Sequence, residues 1–240
     1  MRIPLLVAAL ALLVAGCSPG GGDGAAGTLG PSLTPLTGKP RVSATTPSST
    51  TTTTTTPSTS ATPTAAPAPG SPIGAVAAWI DAGTPVEAGD FHSATRDGEM
   101  TPLPDGVAFS LPGGAAKCMT DPALGTDSMS CLLTVSNPLP QPIGQEGHWV
   151  PGWVDYDGGT VLVGALRADP GPFGAGAGPE LAYGSALKFG DFRCRADQTG
   201  LFCMNYARQT AVRLSADGVT PFGCLQRVDA PVVVGAKYGC

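Results

Sequence analysis

Paired cysteines constrain the fold of this chain more than any other feature of its sequence. One of its seven cysteines is Cys17, and the others lie beyond residue 117. These others are Cys118, Cys131, Cys194, Cys203, Cys224 and Cys240. In an exported protein such a set is expected to form three disulfides. No Cys-x-x-Cys pair and no His-x(3–5)-His spacing accompanies them, which argues against a structural zinc site.

The amino terminus predicts export. Thirteen residues, Ile3 to Ala15, form an apolar run, a length typical of a signal peptide and short of the roughly 20 residues that a transmembrane helix needs. The run continues into Val14-Ala15-Gly16-Cys17, which resembles the lipobox of bacterial lipoproteins. This resemblance implies that residues 1–16 are removed and that lipid on Cys17 holds the protein on the extracytoplasmic face of the cell membrane. The alternative is an ordinary signal peptide with a chance cysteine at its end.

Residues 17–72 predict a disordered tether. They contain Gly20-Gly21-Gly22 and then a Ser/Thr/Pro/Ala tract with an unbroken run from Thr50 to Thr56. Such a composition buries too little apolar surface to offset the entropy of ordering. As a flexible coil the tether spans on the order of 40 Å, enough to hold a domain off the membrane. Thr/Pro-rich exported stalks are also candidates for O-glycosylation.

Residues 73–240 predict one mainly β domain. Ile73, Val76, Ala77 and Ile80 have helical spacing, so a short N-terminal helix is expected. The rest reads as short strands separated by Gly, Pro and Asp-Gly turns. We therefore expect an antiparallel β domain, a sandwich or barrel-like, stapled by disulfides.

Three hairpins can be predicted individually from their turn residues. The strand pairs are Gly152–Tyr156 with Thr160–Val163, Thr210–Leu214 with Val219–Phe222, and Lys188–Ala196 with Leu201–Tyr206. In the third hairpin the loop Asp197–Gly200 sets Cys194 opposite Cys203, and opposed residues have Cβ atoms about 4.5–5.5 Å apart.

The other two cysteine pairs follow less directly. Cys118 and Cys131 stand symmetrically about a loop near residues 121–128, and Cys224 pairs with Cys240 by exclusion. Six cysteines allow 15 pairings, so the complete set is a hypothesis.

Residues 107–206 resemble a family of secreted mycobacterial proteins and lipoproteins. The matching residues are Phe109, Pro112, Gly114 and Cys118, followed by Leu181, Tyr183, Gly184, Leu187, Gly190, Cys194, Gly200, Cys203 and Asn205. Leu111 stands at a usual serine, and Tyr206–Thr210 replaces a Thr-Gly-His-Gly-Phe-like turn. The resemblance supports the first two cysteine pairs and implies no known activity.

No complete catalytic motif stands out. Ser185 and Lys188 match the Ser-x-x-Lys spacing of penicillin-binding enzymes, but they lie in a predicted strand, which would point the two side chains apart. His92 and His148 are the two histidines, and neither has a metal-binding spacing. We therefore expect a protein that is not an enzyme and that holds no cofactor or metal.

One segment offers a candidate ligand site. Trp149 and Trp153 are an even number of residues apart, so they could share a strand face beside Asp155 and Tyr156. Aromatic faces next to carboxylates suit sugar or glycolipid contacts. The alternative is that both tryptophans fill the core of a glycine-rich domain.

The sequence thus predicts a lipid-anchored envelope protein that acts as a non-enzymatic binding or accessory module. Its formal net charge of -5 argues against nucleic acid as a partner. The expected partners are the membrane, through the lipid, and a cell-wall glycan, a glycolipid or an envelope protein. A lipid or glycolipid carrier with an apolar cavity is the first alternative, and a cell-envelope hydrolase is the second.

Overall fold

The computed structural model of the chain describes residues 65–121 and 128–240. The predicted signal peptide, Cys17, most of the predicted tether and the centre of the loop between Cys118 and Cys131 lie outside the described residues. The helical segments are α1 Ile73–Asp81 and three 3₁₀ turns at Ala88–Phe91, Pro112–Gly114 and Gly171–Ala175. The strands are β1 Thr84–Pro85, β2 Ser93–Arg96, β3 Glu99–Pro102, β4 Ala108–Ser110, β5 Ala116–Thr120, β6 Met129–Leu133, β7 Trp149–Tyr156, β8 Thr160–Leu166, β9 Ser185–Phe189, β10 Phe192–Asp197, β11 Gly200–Asn205, β12 Thr210–Ser215, β13 Gly218–Phe222, β14 Gln226–Val228 and β15 Val234–Gly239.

The strands form two larger sheets and one two-stranded ribbon. The first sheet has the order β1-β9-β10-β11-β12-β13, the second has the order β14-β15-β8-β7-β6-β5-β4, and β2 pairs with β3. Among the named strands of the described residues, every pairing is antiparallel except that of β1 with β9, at the edge of the first sheet. The fold is mainly β as predicted, and it is sandwich-like rather than a closed barrel.

The predicted N-terminal helix is confirmed as α1, and it covers the outer face of the first sheet. Val76, Trp79 and Ile80 are buried on its apolar side, where the Trp79 ring lies 4.7 Å from that of Phe202. Ala66 already packs against this cluster. The chain therefore contacts the fold before the predicted domain boundary at residue 73.

The predicted hairpins are confirmed, with one correction. The segment Lys188–Ala196 is not one strand, because Gly190, at φ 48°, and Asp191 form a turn that separates β9 from β10. The two strands then pair with each other, with Phe189 opposite Phe192, and those two rings stack 5.6 Å apart. The register of β10 with β11 is as predicted, with Cys194 opposite Cys203.

All three disulfides form as predicted. Cys118 is bonded to Cys131, Cys194 to Cys203, and Cys224 to Cys240. The first two each join directly opposed residues of neighbouring strands. The four cysteines of these two bonds belong to the main core cluster between the sheets.

A buried polar contact joins the two sheets inside this core. The hydroxyl of Tyr156, on β7, donates to the carbonyl of Thr210, on β12, at 2.9 Å. The Thr210 hydroxyl donates in turn to the carbonyl of Gly158. Both side chains are fully buried, and burial raises the pKa of Tyr156 well above its ordinary value, so the phenol stays protonated and keeps its donor.

A glycine-rich loop lies across the second sheet. Residues 171–178 begin with the 3₁₀ turn that contains Phe173 and then run to β2, where the backbone of Ala177 exchanges two hydrogen bonds with that of Thr95. A Cβ at Gly178 would lie 2.0 Å from the carbonyl carbon of Ala108. A residue with a side chain is therefore excluded at this position, which lets the loop pack closely over the strands.

Removal of the Cys194–Cys203 bond tests how far the fold depends on it. The double variant Cys194→Ala/Cys203→Ala should lower the free energy of unfolding by about 3 kcal/mol, because the unfolded chain loses a covalent loop. Chemical denaturation followed by tryptophan fluorescence measures this change. An unfolding midpoint equal to that of the wild type would show that strand pairing alone holds this hairpin.

Candidate functional site

The outward-facing side of the second sheet carries a row of three neighbouring side chains. Leu132 pairs with Lys117 on one side and with Trp153 on the other. Because side chains alternate along a strand, these residues point away from the core that holds their neighbours Cys118, Cys131 and Val154. The row therefore extends from the Lys117 amine on β5, past Leu132 on β6, to the Trp153 indole on β7.

Arg167 covers the end of this row. Its guanidinium carbon lies 3.6 Å from the centre of the Trp153 ring, a cation–π contact. Phe173 meets the same indole edge-on, with ring centres 5.2 Å apart. A Cβ at Gly171 would lie 2.9 Å from an Arg167 nitrogen, so the glycine lets the loop close over the stacked pair.

Beside the stacked pair is a cavity of about 400 Å³, which we call the Trp153 groove. It is lined by Leu132, His148, Val150, Trp153, Arg167, Ala168, Asp169, Pro170 and Phe173. A second cavity, of about 450 Å³, also borders Phe173 and is lined in part by Arg96, Asp97 and Lys117. The two cavities share Leu132, Pro170 and Phe173. Together they offer an apolar floor with charged groups at the rim.

The charged groups of the two cavities differ in whether they are already paired. Arg96 lies 3.7 Å from Asp97 and donates to the carbonyl of Gly174. Asp169 accepts the backbone N–H of Gly171 at 2.7 Å. In contrast, the Nε of Arg167 is buried and has no acceptor within the described residues, and neither Arg167 nor Lys117 forms an ion pair there. Because that Nε is itself buried, the donors that can reach a ligand are the terminal guanidinium nitrogens of Arg167 and the amine of the exposed Lys117.

The sequence-predicted site residues do not form one ligand-binding surface. Trp153 is 2% exposed, and Tyr156 is fully buried between the sheets. Trp153 donates through its indole nitrogen to Asp155 Oδ1 at 2.6 Å. The Ser130 hydroxyl donates to the same oxygen at 2.6 Å. Asp155 therefore holds the indole in place, and Tyr156 is an internal residue rather than a surface contact.

The prediction that Trp149 and Trp153 share a face is wrong. The pairing of β7 with β8 shifts register between Val150 and Val154, which breaks the alternation. The Trp149 ring lies against Gly164, and its indole nitrogen donates to the carbonyl of Leu139 at 2.9 Å. The alternative, that these rings fill space in the fold, holds for Trp153.

Sequence analysis did not identify Arg167, Phe173 and Lys117 as part of a site. Arg167 follows β8, Phe173 lies in a Pro/Gly-rich loop and Lys117 lies on β5. No local motif joins them, and the register that places Lys117 near Trp153 is a long-range property. The only sequence feature that pointed to this site was Phe173, a single aromatic residue among glycines and prolines. Such a residue has no apolar neighbours in its own segment, so it is expected to pack against another part of the chain.

A second polar cluster anchors α1. Asp81 Oδ1 accepts from the Tyr206 hydroxyl and from Arg193, each at 2.7 Å. Burial and the hydrogen bond to Asp81 raise the pKa of Tyr206 above its ordinary value, which keeps the phenol a donor. These side chains line a smaller cavity of about 240 Å³, and their mutual bonds favour a structural role.

The other sequence candidates remain separate. Ser185 and Lys188 both lie on β9, as expected of a strand rather than a catalytic helix. Across residues 65–121 and 128–240, no three His, Cys, Asp or Glu side chains are grouped as metal ligands would be. In the same residues no helix has the length and apolar character needed to cross a membrane.

Comparison with known proteins finds no matching protein family, no similar curated protein and no similar solved structure.

The anchoring of Trp153 can be tested at Asp155. Asp155→Ala leaves the buried indole N–H of Trp153 without its acceptor, whereas the Ser130 hydroxyl keeps Asp121 Oδ2 at 3.4 Å. The variant should therefore lower the free energy of unfolding by about 2 kcal/mol. Asp229→Ala is the control, since that carboxylate is exposed and should change stability by less than about 0.5 kcal/mol. Equal denaturation midpoints for the two variants would contradict this role.

Proposed function

We propose that this protein is a non-enzymatic binding module of the cell envelope and that it holds its ligand in the Trp153 groove. The observation that carries the proposal is the guanidinium of Arg167, which lines the groove, stacks on Trp153 and forms no ion pair within the described residues. A fixed cation beside an apolar floor is a typical arrangement for a binding site.

The composition of the groove supports binding rather than catalysis. Its polar lining residues are His148, Arg167 and Asp169. None of its lining residues carries a hydroxyl, a thiol or an amine, so its groups able to act as a nucleophile are the imidazole of His148 and the carboxylate of Asp169. Asp169 is bonded to the backbone of Gly171, which gives it a role in shaping the loop.

The filled space between the sheets disfavours a carrier with an internal cavity. Phe109, Phe192, Leu187 and Leu201, each at most 1% exposed, occupy the core between the sheets. A lipid chain would have to displace them, at a cost of several kcal/mol for each side chain that loses its packing. Any amphiphilic ligand is therefore better accommodated at the surface.

Lipid anchoring is the second part of the proposal. It rests on the apolar run from Ile3 and on the Val14–Cys17 pattern. A tether after Cys17 would let the domain reach envelope components at some distance from the membrane.

The groove is tested by native mass spectrometry of the full exported protein, purified from its own envelope. The wild type should carry a reproducible non-covalent mass that leaves on mild activation. Ala168→Phe places a ring in the groove and should reduce that occupancy at least tenfold. Ala230→Phe adds the same ring at an exposed alanine outside the groove and should retain it. Equal occupancy in both variants would exclude the groove as the binding site.

The anchor is tested separately at Cys17. Intact-mass measurement of the wild type should give a diacylglyceryl adduct on the mature chain that begins at this residue. Cys17→Ala should lack the adduct and shift the protein from the membrane fraction to the medium. A wild-type chain without acyl mass would refute lipid attachment and leave the proposal for the groove standing.

A further inference from the structure

We infer that the Trp153 groove binds a phosphate-bearing amphiphile, with the phosphate on Arg167 and the adjoining apolar part of the molecule on the floor of the groove. This inference rests on the proposed function, because it names the ligand of the same site.

Arg167 presents its guanidinium in a fixed orientation. A guanidinium is planar and has donors on two edges, so it binds phosphate through two parallel hydrogen bonds. Stacking on Trp153 at 3.6 Å fixes the plane before a ligand arrives, which reduces the entropy lost on binding. Phe173 and Asp155 hold the indole in turn. The cation is therefore preorganised for an anion.

The charged groups around the groove indicate which kind of anion it can bind. Three carboxylates are nearby, and each already has a partner. Asp169 is bonded to the Gly171 backbone, Asp155 to the Trp153 indole and the Ser130 hydroxyl, and Asp97 lies beside Arg96. Lys117 is exposed and stands two strands away from Trp153, which is about 10 Å at the usual strand spacing. A phosphate carries more negative charge and more acceptor oxygens than a carboxylate, so it suits a groove that is lined by Arg167 and adjoins a cavity lined by Lys117.

The apolar floor of the groove indicates that the ligand has an apolar part. The groove is lined by the apolar side chains of Leu132, Val150, Trp153 and Phe173. They offer no hydrogen bond to an inorganic ion, because the one polar atom among them, the Trp153 indole nitrogen, already donates to Asp155. A free phosphate would leave this surface unused, whereas an alkyl or acyl portion would cover it and gain from its removal from water. The cavity of about 400 Å³ falls in the size range of small-molecule sites. An amphiphile thus uses both halves of the groove.

The test uses the full mature chain, residues 17–240, carrying Cys17→Ala and secreted behind a non-lipidating signal peptide with its disulfides intact. Isothermal titration calorimetry compares three probes: hexyl phosphate, hexyl glucoside and inorganic phosphate. Hexyl phosphate should bind at least tenfold more tightly than either of the others. Equal binding of hexyl glucoside would show that charge is not recognised, and equal binding of inorganic phosphate would show an ion site only. Absence of hexyl phosphate binding would also overturn the inference.

Variants assign the contact to Arg167. Arg167→Met keeps an unbranched chain over the indole and should weaken hexyl phosphate binding roughly ten- to a hundredfold. Arg167→Lys keeps the charge without the planar fork and should lie between Arg167→Met and the wild type. Arg227→Met is the matched control, since Arg227 is exposed and outside the groove, and it should stay within twofold. Unchanged binding in Arg167→Met would remove Arg167 from the site.

A further variant covers the case in which Arg167→Met unfolds the domain. Ala168→Phe fills the groove from an exposed position and should abolish hexyl phosphate binding without lowering the melting temperature. The experiments also distinguish a wrong ligand class from a wrong proposed function. If the wild type ignores hexyl phosphate but loses its native non-covalent mass in Ala168→Phe, the ligand class is wrong and the binding module stands.

Discussion

The two cross-strand disulfides are the constraint on which the rest of the structure depends. Cys118–Cys131 lies in the second sheet and Cys194–Cys203 in the first, and both belong to the core between the sheets. Because side chains alternate along a strand, an inward cysteine forces its neighbours outward. Lys117 and Leu132 face outward for this reason, and Trp153 lies opposite Leu132 on the neighbouring strand. The covalent links that close the interior therefore also determine which side chains are available on the outer face.

The two outer faces are covered to different extents, and this asymmetry explains where a ligand can bind. Helix α1 packs along the first sheet and buries Trp79 against Phe202. Within the described residues, the outer face of the second sheet is covered by the short turn that contains Phe173 and by Ala94 of β2, and two cavities border the Phe173 ring. A helix presents a continuous apolar stripe, whereas one aromatic residue covers only its immediate surroundings. The groove is the part of the sheet that the loop leaves open.

Within the groove, the contact between Arg167 and Trp153 is the feature of the fold on which the proposed function depends. An acidic chain, with a net charge of -5, places a cation over an indole where neither nearby carboxylate pairs with it. The contact needs the loop to approach closely, which Gly171 permits, and it needs an oriented indole, which Asp155 supplies. Such an arrangement limits the motion of the guanidinium and leaves its outer donors free. These are properties of a receptor for an anion.

Sequence alone determined the features that depend on local chemistry. Turn residues, strand alternation and helical spacing act over a few positions, so they predicted α1, the hairpins and the opposition of Cys194 and Cys203. The turn at Gly190 and Asp191 is also local, and sequence analysis missed it. The register shift that separates Trp149 from Trp153 and the contact of Arg167 with the Trp153 indole appear only in the folded chain. The physical reason is that these features depend on packing between distant segments, where backbone approach and burial outweigh local preference.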